Sequence, residues 1–106
     1  MKRVGFILKV KQEFLGEYTE THKAVWPEMQ QALREAGWRN YSLFAREDGT
    51  LFGYLETEDF EKSLAAMDGL DVNTRWQASM APFFEQLEGR RPDEALYQLE
   101  EIFHLD

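Results

Sequence analysis

Of the two histidines in the chain, His22 and His104, His22 is the one set in a pattern that can do chemistry. It follows Tyr18 by four residues in a stretch of helical period. Side chains four apart on a helix lie one turn apart on the same face, so phenol and imidazole are neighbours. An imidazole titrating near neutrality is an efficient general acid or base. The C-terminal end of a helix favours the imidazolium, and burial disfavours it. Against this stands a packing histidine whose nitrogens are met by backbone groups. Tyr18, Tyr41 and Trp76 are three amphipathic aromatics on three separate elements. Their rings can cover the apolar C–H faces of a sugar while the phenols bond its hydroxyls. Taken singly, each reads more readily as core. Trp26, just before Pro27, reads as a packing anchor, and Trp38 as core. His104 alternates opposite Phe103 and Leu105 and faces solvent or a partner subunit.

Composition removes several other chemistries. The chain has 106 residues and no cysteine, which excludes disulfides, thiolate catalysis and Cys-ligated zinc. Two histidines without His-Glu or EF-hand spacing point to no metal, and no cofactor fingerprint or phosphate loop is present. Twelve Lys and Arg against twenty Asp and Glu give a net charge of −8, the wrong sign for a nucleic-acid backbone. The acidic run around Glu56–Glu61 reads as a solvated helix start, and Arg90-Arg91 as a loop pair balancing nearby acids. The apolar run Val4–Leu8 ends at Lys9, too short for export or a membrane span, so the expectation is a cytoplasmic protein. With 43% hydrophobic residues, residues 1–106 are expected to form one domain.

Positioning these residues requires elements in a definite order. Val4–Val10 reads as a strand. Residues 11–36 carry apolar positions at helical spacing, interrupted by Pro27, with Gly37 as the stop. The break falls near Val25–Trp26, or the helix restarts with Pro27 at its first position. Residues 40–46 and 51–56 alternate around an Asp48-Gly49 turn, a hairpin signal. Phe60, Leu64 and Met67 mark a short helix stopped near Gly69. A further helix with Asp71 as its cap carries Val72, Trp76, Met80, Phe83, Phe84 and Leu87, interrupted by Pro82. A polar connector follows, and the last ten or so residues alternate as a strand. The order β-α-β-β-α-β is the α+β, ferredoxin-like split βαβ plan. Its helices cover one face of the sheet, leaving aromatics such as Phe44 and Phe52 on the other. A bare apolar face of this kind predicts a homodimer.

At Tyr18-x-x-x-His22-x-x-x-Trp26-Pro27-Glu28 the sequence resembles the L-rhamnose mutarotases. The likeness spans nearly the whole chain. It includes Gly5-Phe6, Asn40-Tyr41, Arg75-Trp76 and the closing Phe103-His104-Leu105. It implies a dimeric α+β barrel that interconverts the α and β anomers of L-rhamnose without cofactor or metal. Carried over by position, His22 is the proton donor, and Tyr18, Tyr41, Trp76 and Gln77 are the sugar contacts. Gln77 stands where the family carries a second tryptophan; it can bond a hydroxyl but removes a stacking surface. His22 would deliver a proton to the ring oxygen, with Tyr18 orienting it or holding a hydroxyl. Two other classes fit the same plan: a cofactor-independent dimeric α+β-barrel oxygenase, and a small-molecule-binding dimer without catalysis.

Overall fold

The computed structural model describes residues 1–85 and 87–106. Its elements are β1 (Lys2–Lys9), α1 (Leu15–His22), α2 (Pro27–Glu35), β2 (Arg39–Ala45), β3 (Thr50–Thr57), α3 (Phe60–Asp68), α4 (Asp71–Met80) and β4 (Tyr97–Leu99). The sheet runs β2-β3-β1-β4 with every pairing antiparallel. This is the ferredoxin-like plan, with the helices divided at Pro27 and after Gly69 as the sequence led one to expect.

The divisions have local causes. Pro27 is the first residue of α2, where its missing N–H has no intrahelical partner to lose. The chain between α1 and α2 is therefore irregular, and α1 ends on His22. After α2, the Gly37 N–H bonds the Arg34 carbonyl and the Trp38 N–H reaches back to Leu33. This closure requires a left-handed residue, and Gly37 has φ +94°. Asp59 caps α3, its carboxylate accepting the Lys62 N–H at 3.2 Å. Pro82 ends α4 in a short 3₁₀ turn, Ala81–Phe83, which docks onto the chain after β1 through Lys11 N–H to Phe83 carbonyl, 2.7 Å.

Two expectations fail. Asp71 is not the cap of α4: Leu70 takes the extended cap conformation, and Asp71 is the first helical residue, bonded to Arg75 Nε at 2.9 Å. It still acts on the positive end of the helix, but by charge and not as a cap. The C-terminal strand is also shorter than its alternation promises. Only Tyr97–Leu99 pair, with Gly5–Ile7. Beyond them Arg3 and Glu101 form a two-bonded ion pair, but backbone pairing stops. Ile102 is 90% exposed, and Phe103 and Leu105 are also exposed. The alternation anticipates a burial that one chain does not supply.

Val4 and Phe6 of β1 and Leu51 and Leu55 of β3 pack under Met29, Ala32, Phe60, Met67, Trp76 and Met80 from the helices. The opposite face is bare. Phe44 and Phe52 are cross-strand partners there, and Phe44 is 63% exposed. Tyr97 and Leu99, paired with Ile7 and Gly5, are exposed as well. No helix among the described residues is long and apolar enough to cross a membrane.

One register position is sterically decisive. Gly53 lies opposite Phe6, and a β-carbon on it would meet the Phe6 ring at 2.1 Å. Phe6 is buried, so its ring would have to shift from its packed position. Gly53→Ala should lower unfolding stability by about 1–3 kcal/mol, the usual cost of overpacking. Urea denaturation checks this, and an unchanged midpoint would contradict the packing described.

Candidate active site

The termination of α1 on His22 leaves its imidazole at the helix end, folded back over the preceding turn. The Tyr18 and His22 rings lie 4.2 Å apart, tilted by 33°. His22 Nδ1 is 2.9 Å from the Tyr18 backbone carbonyl. A carbonyl only accepts, so the hydrogen in that bond is on Nδ1. The Thr21 hydroxyl donates to the same carbonyl at 2.7 Å and sits 3.2 Å from Nδ1. With Nδ1–H engaged, Nε2 is the ring nitrogen left to exchange a proton. Tyr18 therefore orients His22 through its carbonyl and its ring face.

Burial pulls the His22 pKa below its ordinary value, and the bond to the Tyr18 carbonyl opposes this without reversing it. The two phenols move the other way. Burial pushes Tyr18 well above the usual phenol range, and Tyr41 rises by desolvation and by the proximity of Tyr18. Both stay protonated at neutral pH, able to exchange hydrogen bonds but not to act as bases.

Trp76 of α4 meets His22 edge to face at 5.5 Å, and Trp26 stands against Trp76 at 5.0 Å. Trp26, at the α1–α2 break, is thus the anchor its position beside Pro27 implied. Arg75 covers Trp26 at 5.6 Å and joins Asp71 to Glu28, tying α4 to the start of α2. Tyr41 is aimed by an irregularity in β2. Arg39 pairs with Glu56 but Ser42 with Tyr54, so one extra residue is accommodated between them. Asn40 takes φ 49° there and donates to Glu56 Oε2 at 3.0 Å. The Tyr41 ring rests on Trp38 at 4.9 Å, and Trp38 itself is core.

Tyr18, His22, Tyr41, Trp76 and Gln77 all line one cavity of about 1100 Å³ between the sheet and the helices. This volume is ample for a small molecule. Exposed Lys23, Gln30 and Arg39 mark its mouth. Gln77 lines the cavity but is held by the protein: Nε2 donates to Asn73 Oδ1 at 3.0 Å, and Oε1 accepts the Asp93 N–H at 3.1 Å. Asn73 and Asp93 also line the cavity. They were missed in the sequence. Asn73 sits four residues before Gln77, a spacing that could have signalled a polar pair on one helix face; Asp93 lies in a stretch that reads as a plain connector. His104 lies apart from the cavity lining, exposed and 4.0 Å from Asp106. Arg91 binds Asp93 and Asp68, as a charge-balancing loop residue should. No three His, Asp or Glu side chains among the described residues converge as metal ligands would.

The family model for L-rhamnose mutarotase matches residues 3–105. The chain belongs to the L-rhamnose mutarotase family. An L-rhamnose mutarotase of Bacillus subtilis is 41% identical over 100% of both chains, and one of Ligilactobacillus salivarius is 38% identical over 98% of this chain and 97% of its own. The crystal structure of an L-rhamnose mutarotase from Formosa agariphila superposes with a TM-score of 0.80 at 28% identity, covering 100% of both chains. The ferredoxin-like architecture is thus shared with this mutarotase.

For a mutarotase family member the state of its one cavity histidine is open to direct measurement. Neutral His22 is favoured by folding, so the folded protein binds fewer protons than the unfolded chain just below pH 6.5. Its contribution to stability falls as pH drops from 6.5 through the lowered folded value. NMR titration of the His22 ring should give a midpoint below 6.5, shifted little in Tyr18→Phe because the carbonyl and the stacking ring persist. A midpoint above 6.5, or a large rise in Tyr18→Phe, would contradict this.

Proposed function

We propose that this cavity interconverts the α and β anomers of L-rhamnose by opening and reclosing the pyranose ring, with His22 Nε2 as the proton donor. The supporting observation is the bond from His22 Nδ1–H to the Tyr18 carbonyl, which commits one ring nitrogen and frees the other. The pyranose is a cyclic hemiacetal. Imidazolium Nε2–H gives its proton to the ring oxygen as the anomeric hydroxyl loses its own to water. The C1–ring oxygen bond breaks and an aldehyde forms. Rotation about C1–C2 presents the opposite aldehyde face, the freed hydroxyl attacks it and returns its proton to His22, and the aldehyde oxygen takes back a proton from water to become the new anomeric hydroxyl. No electrons are transferred. The Tyr18 and Tyr41 phenols bond sugar hydroxyls, and Trp76 packs against the ring. The oxygenase and non-catalytic readings draw no support from the comparisons.

The low pKa shapes the pH dependence. Imidazolium is a minority near neutral pH but a stronger acid for it. Exchange between the anomeric protons, followed by NMR saturation transfer, should accelerate as pH falls from 7 toward the His22 midpoint and then level off. His22→Ala should lose about 10²-fold or more of the rate while remaining folded. An unchanged rate in a folded His22→Ala protein would reject the assignment.

The active form is a homodimer closed over the bare sheet face. The exposed Phe44–Phe52 pair and the unburied Ile102, Phe103 and Leu105 support this. Light scattering should give twice the chain mass at micromolar concentration, and Phe44→Glu should drive the protein toward monomer. A monomeric native chain would contradict the dimer.

A further inference from the structure

The polar wall at residues 73, 77 and 93 has no part in ring opening as derived above, yet it is the most heavily bonded side-chain cluster facing the cavity. Asn73 is 1% exposed. Its Nδ2 bridges the Met67 carbonyl and Asp93 Oδ2, both at 3.0 Å. Its Oδ1 takes Gln77 Nε2, and Gln77 Oε1 takes the Asp93 N–H. Arg91 closes the far side, with Nε to Asp93 Oδ1 at 3.0 Å and a terminal N–H to Oδ2 at 2.7 Å. The same guanidinium reaches Asp68 Oδ1 at 3.3 Å.

A buried amide whose bonds all run to protein groups is a positioning device, and here the positioned group is a carboxylate. Asp93 Oδ2 is saturated by Arg91 and Asn73, whereas Oδ1 accepts one bond and keeps a free lone pair. The side chain remains 19% exposed on a residue of the cavity lining. The guanidinium fixes the carboxylate in place. The carboxylate is a strong acceptor for a hydroxyl, because charge-assisted bonds are shorter and stronger than neutral ones. Glu35 is the other carboxylate of the lining and is exposed, whereas Asp93 is held by Arg91 and Asn73, so a ligand with hydroxyls on one edge finds a fixed anionic acceptor here.

We propose that Asp93 accepts a hydrogen bond from a hydroxyl of the bound sugar and sets the preference of the site for it, and that Gln77 is a positioning residue acting through Asp93. This rests on the sugar site proposed above. Gln77 thus works by holding the turn Pro92–Glu94.

Calorimetric titration with L-rhamnose and NMR exchange on the same samples test this. Asp93→Asn should raise the Kd and KM for L-rhamnose about ten-fold or more, the size of a lost charge-assisted bond, with a smaller change in kcat. Gln77→Leu keeps the carboxylate but releases the turn, and should raise Kd and KM in the same direction by less. The double variant should be no weaker than Asp93→Asn alone. Native affinity in either folded single variant, or loss of kcat at unchanged KM, overturns the proposal. If Asp93→Asn does not fold, native affinity in Gln77→Leu overturns it and a raised Kd supports it. Native protein that binds L-rhamnose without accelerating exchange refutes the catalytic reading and leaves the Asp93 assignment to the Kd comparison. Native protein that binds no sugar refutes both.

Discussion

A single hydrogen bond, from His22 Nδ1–H to the Tyr18 carbonyl at 2.9 Å, is the constraint on which the site depends. It sets the tautomer, holds the imidazole over the Tyr18 ring, and leaves Nε2 for chemistry. The bond lies at the very end of α1, which stops at His22, and Pro27 opens the next helix five residues on. The same break places Trp26 against Trp76 and so brings α4 beside the histidine. The break between the two helices thus lies beside both the imidazole and the aromatic wall around it.

That wall sets a tension. The rings of Tyr18 and Trp76 take His22 partly out of water, which disfavours the imidazolium that a proton donor needs. The gain is acid strength. A donor that parts with its proton easily suits an ether-like ring oxygen, a poor base until the C–O bond stretches. The Tyr18 phenol, raised in pKa by burial, does not compete as an acid. Enclosure thus separates the roles: one titrating group among hydrogen-bonding and stacking ones.

Local rules made much of this legible in the sequence. The Pro27 break, the Gly37 stop, the Asp48-Gly49 hairpin and the four-residue spacing of Tyr18 and His22 are each decided by residues close in the chain. What escaped depends on distant contacts. Asn73 looks like an ordinary polar residue in a helix until the turn at Pro92–Glu94 returns to meet it and Gln77. The extra residue in β2 at Asn40 is decided by pairing with Glu56, not by β2 itself. The final strand was overextended because alternation reports which side chains want burial, and the surface that buries them need not belong to the same chain. Asp71 failed as a cap because Leu70 already supplied the extended residue that starts the helix.

The tautomer of His22 tests the central claim most directly, by long-range ¹H–¹⁵N correlation of the imidazole in ¹⁵N-labelled protein above its titration midpoint. The account predicts a protonated Nδ1 and a bare Nε2, with the Nε2 resonance displaced when L-rhamnose is added. A neutral ring protonated on Nε2, or an Nε2 signal indifferent to the sugar, would contradict it.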